Sequence, residues 1–200
     1  MNEPMKKGRE GYAQMEAACQ KLVESGNWQR VGASDIRLFL NMYVQALLLK
    51  MALSCGGAGE KLRRFIAEIP SRDVLSIAKA DENAALNIGH KNRSFAEGTP
   101  LLLRCCVAMD DKDGTDAAQQ FVDGVSTLLY AAAQCDSDLS GQELQFISTY
   151  LGGLRTFLLS RAAGRHVSSV QEQIRHTDVP GDAPSKETAK NEPKKEEKKT

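Results

Sequence analysis

At 200 residues, 42% of them hydrophobic and 26% charged, the chain is long enough for one globular domain with its own core plus appendages. Lys+Arg and Asp+Glu both number 26, so the net charge is zero, which leaves no footprint for wrapping nucleic acid or lying on an anionic membrane. The five cysteines are odd in number and form no C-x-x-C pair, as expected of reduced, buried small hydrophobes in a cytoplasmic protein.

Lys6, Lys7 and Arg9 are followed by no apolar run, so no secretory signal is expected, and residues 1–8 are expected to fray. Residues 10–25 read as an amphipathic helix with Tyr12, Met15, Cys19, Leu22 and Val23 on one side, stopped by Gly26. In the connection after it, Trp28 is expected to pack back onto the bundle, and Asp35 to cap the next helix. That helix, residues 35–53, is apolar all round a 3.6-residue wheel, which places it in the middle of a bundle. Arg37, Asn41, Gln45 and Lys50 interrupt it, and its longest apolar run (residues 46–49) is far below the ~18–20 residues of a bilayer span. It reads as a core helix, with no membrane span. Cys55-Gly56-Gly57-Ala58-Gly59 breaks the chain. A short helix over 60–69 ends at Pro70, Ser71 caps a helix over 72–88 that stops at Gly89, and 90–98 forms a polar loop.

Thr99-Pro100 signals the start of a helix over 101–109, closed by the acidic loop 110–114. Thr115 is expected to cap a helix carrying Ala118, Phe121, Val122, Val125, Leu128, Leu129 and Ala132 on one stripe. Ser140 opens a last long helix with Leu144, Ile147, Leu151, Leu154 and Leu158, and the two are expected to pack as an antiparallel hairpin. Gly152-Gly153 inside it costs roughly 1 kcal/mol per glycine, which calls for a close neighbouring backbone or a bend. The bundle therefore occupies residues 9–177. Residues 181–200 hold six Lys against five acids with no large apolar side chain, so 178–200 is expected to be a disordered tail. No strand-like alternation occurs anywhere; the fold class is all-α, a multi-helix bundle.

Asp136-Ser137-Asp138-Leu139-Ser140-Gly141 has oxygen side chains at relative positions 1, 3 and 5 and glycine at 6, like the opening of a calcium loop. The bidentate glutamate such a loop needs at position 12 is Ile147 here, and Ser140 with Glu143 also forms a capping box that needs no metal. The candidate Ca²⁺ ligands are therefore Asp136, Asp138, Ser140 and Glu143. A separate acidic loop offers Asp110, Asp111 and Asp113, which together with Asp136 and Asp138 are candidate interaction residues. One helix of about 20 residues keeps the two loops ~30 Å apart. His90, His166 and His176 lack a second metal ligand at i+3 or i+4 and are expected at the surface. Ser54-Cys55-Gly56-Gly57 resembles the setting of a nucleophile but equally a helix C-cap, and no catalytic constellation is visible. The basic groups Lys61, Arg63, Arg64 and Arg155, Arg161, Arg165 read as solvated helix faces.

Residues 46–66 and 128–147 look like two copies of one pattern: apolar helix, break, then a helix bearing Phe-Ile. In the second copy, Ala131-Ala132-Ala133, Asp136, Leu139, Ser140, Glu143 and Phe146-Ile147 resemble the repeated signature of tellurite-resistance TerB-like domains, as in the helical region that precedes the ATPase module of some bacterial AAA proteins. The repeats would cover about 35–69 and 115–163. The motif glycine is Ser137 here, and in the first copy the motif aspartate falls on Cys55. The resemblance implies a non-enzymatic, all-helical adaptor, an accessory subunit of a bacterial stress-response or defence-type assembly. Its partner would be a protein, an AAA-type ATPase in trans or a further copy in a homo-oligomer, with no nucleic acid. The alternative from the residues alone is a calcium-sensing protein.

Overall fold

In the computed structural model, residues 3–29, 35–70, 82–135 and 139–176 are described, the last stretch with its side chains as far as Arg161. Contacts divide the chain into two units, Met1–Arg165 and His166–Thr200; the described part of the second is helical through His176, and the core lies in the first. The described residues form seven α-helices and one 3-10 turn, with no strand among them. These are α1 (Glu3–Glu24), α2 (Ile36–Ser54), α3 (Glu60–Glu68), α4 (Glu82–Lys91), the 3-10 turn (Arg93–Ala96), α5 (Leu101–Asp113), α6 (Ala117–Ala133) and α7 (Gly141–His176). The all-α bundle expected from the sequence is the observed fold.

α2 sits at its centre. Asp35 caps it, its side chain accepting from the Arg37 N–H at 2.8 Å. Leu40, Val44, Leu47, Leu48 and Met51 are wholly buried, and so is the polar Asn41, which accepts the Tyr12 hydroxyl of α1 at 2.5 Å. Among the described residues, α2 alone is long and apolar enough to cross a membrane, and 67% of that apolar window is buried inside the protein.

α6 packs closely along α1. A Cβ added at Gly11 would lie 2.7 Å from both the Gly124 carbonyl oxygen and the Leu128 nitrogen; one at Gly124 would lie 2.7 Å from the Gly11 carbonyl oxygen. The two backbones therefore touch, with no side chain between them. This contact draws in the start of the chain. α1 begins at Glu3, within the stretch expected to fray, because Met5 is buried and Gly8 lies against the Phe65 ring and Ile69 Cδ1 of the α3 region.

α4 departs from expectation for a related reason. It runs through Gly89 to Lys91 instead of stopping there, since Gly89 is buried against α2, where an added Cβ would meet the Gln45 carbonyl oxygen and Leu49 Cδ2 at 3.0 Å each. The expected helix start at Ser71 lies outside the described residues. Past α4 the expected polar loop is a 3-10 turn whose Phe95 completes an aromatic chain: Trp28 stands edge-on to Phe39 at 5.3 Å, and Phe39 meets Phe95 at 5.6 Å. Trp28 is buried, as expected.

α7 buries Ile147, Leu151 and Leu154 in the same core, and its Tyr150 hydroxyl shares a 3.1 Å hydrogen bond with Tyr43 of α2. Gly152 and Gly153 face the other way: both are exposed, and an added Cβ at either meets open space. No neighbouring backbone accounts for them. The glycines thus fall into two classes with opposite responses to the same substitution. Gly124→Ala is expected to lower stability by about 2–3 kcal/mol or more, as overpacking against backbone does, whereas Gly153→Ala is expected to raise it by about 1 kcal/mol. Urea denaturation of the two variants reads both effects.

Candidate functional site

α2 ends on a glycine turn. Its last carbonyls are taken by backbone donors: Cys55 N–H reaches the Met51 and Ala52 oxygens, both at 3.1 Å, and Gly57 N–H reaches the Ala52 oxygen at 2.8 Å. Gly56 and Gly57 make this geometry possible with φ of 97° and 117°, a region closed to most side chains. The break after α2 is thus a helix C-cap that carries no carboxylate.

The second break has the opposite chemistry. Ser140 and Glu143 form the capping box read from the sequence. The Ser140 N–H and hydroxyl donate to Glu143 Oε2 at 2.9 and 2.7 Å, and the Glu143 N–H donates back to Ser140 Oγ at 3.2 Å. Leu139 is half-buried against the core just before it. Asp136 and Asp138 lie outside the described residues.

The two breaks are near enough for the charge of Glu143 to act on Cys55. Burial, and next the nearby charge of Glu143, push the Cys55 thiol above its ordinary value. At the same end of the bundle two leucines stand out of the core, Leu53 in the last turn of α2 at 59% exposure and Leu144 in the first turn of α7 at 44%. This end therefore joins two exposed leucines, a glutamate engaged in a cap and a cysteine whose thiol is raised. The buried cysteines serve as core: burial, before any charge, drives the Cys19 and Cys106 thiols far upward.

The other acidic loop is bound up in the fold. α5 continues to Asp113 and closes on Gly114 with φ 68°, so Asp110 is a buried residue inside the helix rather than part of a loop. Its carboxylate caps the neighbouring α6, accepting the Thr115 hydroxyl and the N–H groups of Ala117 at 3.0 Å and Ala118 at 2.8 Å. The expected cap, Thr115, acts only through Asp110, and Asp116 at the N-cap position makes no side-chain cap of its own. Asp111 and Asp113 are exposed, Asp113 accepting from Asn27 Nδ2 at 3.4 Å. Among the described residues no three His, Cys, Asp or Glu side chains are grouped so as to hold a metal ion.

Sequence reasoning missed a cavity of about 290 Å³ between α2, α4 and the 3-10 turn, where Lys50 meets His90, Arg93 and Glu97. Only the intrusion of Lys50 into an apolar helix hinted at it.

The two acidic loops differ in how much stability they carry. Asp110→Ala strands two buried N–H donors, loses the Thr115 hydroxyl bond and removes a helix cap, so it is expected to cost about 2–4 kcal/mol, and Ser140→Ala about 1 kcal/mol. Asp111→Ala is expected to stay within about 0.5 kcal/mol of the parent, as exposed substitutions do. Chemical denaturation of the three variants checks this order. No family model, no curated protein and no solved structure matches this chain.

Proposed function

We propose that the chain is a non-enzymatic interaction module of the TerB-like kind, an accessory subunit that binds a protein partner through the bundle end where α2 closes and α7 begins. The observation that carries this reading is the exposure of Leu53 in the last turn of α2 and of Leu144 in the first turn of α7, next in the chain to Glu143. Exposed apolar side chains on helices with a carboxylate at their border have the apolar centre and charged rim of a protein contact. The complementary surface is an apolar groove with a basic border. In a bacterial stress-response or defence-type assembly, an AAA-type ATPase acting in trans is the partner that the resemblance favours. The raised Cys55 thiol weighs against covalent chemistry at the same place.

Affinity capture from the native host tests it, using the full chain, Leu144→Arg and a version lacking residues 178–200. The full chain and the tail-less version are expected to bring down the same ATPase-containing assembly, and Leu144→Arg to lose it while keeping its melting temperature. Recovery of every version alone would overturn the reading. Calcium supplies the contrast, because Ser140 Oγ and Glu143 Oε2 are already engaged in their mutual cap. Millimolar calcium is expected to leave the melting temperature unchanged. A rise that disappears in Asp136→Ala with Asp138→Ala would transfer the site to a divalent cation.

A further inference from the structure

The cavity beside α4 is built from two unlike halves. Ala46 and Leu49 of α2 are buried, and Leu53 stands exposed at its edge, so one wall is apolar. Gly89 lets α4 come down onto this wall, since a side chain there would strike the Gln45 carbonyl and Leu49. The other wall is polar and carries Lys50, His90, Arg93 and Glu97.

The charges on that wall do not cancel. The half-buried Lys50 donates to the Ala96 carbonyl oxygen at 3.0 Å and lies 5.7 Å from the centroid of the Tyr150 ring. Both of these partners are uncharged. Neither Lys50 nor Arg93 takes part in an ion pair among the described residues, and Glu97 is the one acid in the lining. Two permanent cations therefore line the space against one carboxylate. An ammonium has three donors, of which the Ala96 carbonyl takes one, and a guanidinium presents a fork that fits a carboxylate.

We infer that this cavity binds a small apolar monocarboxylate, its hydrocarbon part against Ala46, Leu49 and Leu53 and its carboxylate on Lys50 and Arg93. The volume of about 290 Å³ lies at the lower end of the ~300–1,000 Å³ typical of small-molecule sites, which limits the ligand to a short chain or a single ring. Glu97 disfavours a second carboxylate at the rim by like-charge repulsion. The inference shares Leu53 with the partner reading and otherwise draws on α2, α4 and the 3-10 turn, with α7 entering only through the Tyr150 ring.

Titration of the full chain with octanoate, octylammonium and octanol, followed by amide NMR shifts, tests it. Octanoate is expected to shift Ala46, Leu49 and Gly89 saturably, and octylammonium to leave them in place. The Arg93 side chain is exposed and pairs with no acid among the described residues, so Arg93→Glu keeps the structure intact. It is expected to weaken octanoate roughly tenfold or more, a loss of the order that separates a paired from a repelled charge. Octanol binding as tightly as octanoate, full octanoate affinity in a folded Arg93→Glu, or shifts centred on α1 and α6 would each overturn the assignment.

Discussion

Gly11 and Gly124 bring the α1 and α6 backbones into direct contact, and much of the bundle is arranged around that contact. On α1 the buried residues Gly8, Gly11, Met15, Ala18 and Leu22 recur at intervals of three and four. On α6 the small residues Ala117, Gly124 and Ala131 recur every seventh position, all buried. Small residues on facing helices allow close approach, and close approach raises the dispersion energy per turn because atoms replace the gap a larger side chain would prop open. α1 meets both α6, through Gly11, and the α3 region, through Gly8, and it is helical from Glu3 with Met5 buried.

Close helices need their ends tied, and the ties come from outside the helix they serve. Asp110 of α5 satisfies the first donors of α6, so the α5–α6 turn and the α6 N-terminus form one unit. Lys21 near the end of α1 donates to Asp116 beside it at 2.7 Å, and Arg37 of α2 pairs with Glu16 of α1 at 3.2 Å. Both ion pairs are exposed and contribute little energy in water. Asp110 is the stronger device, because its donors are buried and have no water to turn to.

How legible each feature was depends on how local it is. The core position of α2, the Asp35 cap, the Gly26 stop and the Ser140–Glu143 capping box depend on residues within one or two turns, and all were readable in the chain. Gly11 against Gly124 joins residues more than a hundred positions apart and shows no hydrophobic signal, because a reading that counts apolar side chains passes over glycine. The same blindness made Gly89 look like a helix stop and residues 1–8 look frayed. Asp110 looked like a free surface acid because its partners are backbone N–H groups, which leave no trace in composition. Of the candidate site, the 139–143 segment was visible in the sequence; the cavity was not, since its walls come from α2, α4 and the 3-10 turn and none of them carries a motif.

The two halves of the apparent repeat also show how one architecture can lose a charge and keep its shape. At the α2 break, backbone N–H groups and two left-handed glycines end the helix, so the position held by Cys55 needs no carboxylate for the fold. At the α7 break the helix begins, and a starting helix leaves N–H donors, which an acid satisfies. Both breaks end one helix and start another, so the asymmetry lies in how the second helix starts: α3 follows Gly59 with no side-chain cap, whereas α7 is capped by Ser140 and Glu143. Neither arrangement requires the exposure of Leu53 and Leu144. Single exposed leucines are ordinary on any protein surface. Two of them, one next to Glu143 in the first turn of α7 and the other at the edge of a cavity lined by Lys50 and Arg93, give the surface apolar points with opposite charge beside them. A partner that buries both leucines would have to present basic groups toward α7 and acidic groups toward α4, and that pattern fixes the orientation in which it can dock.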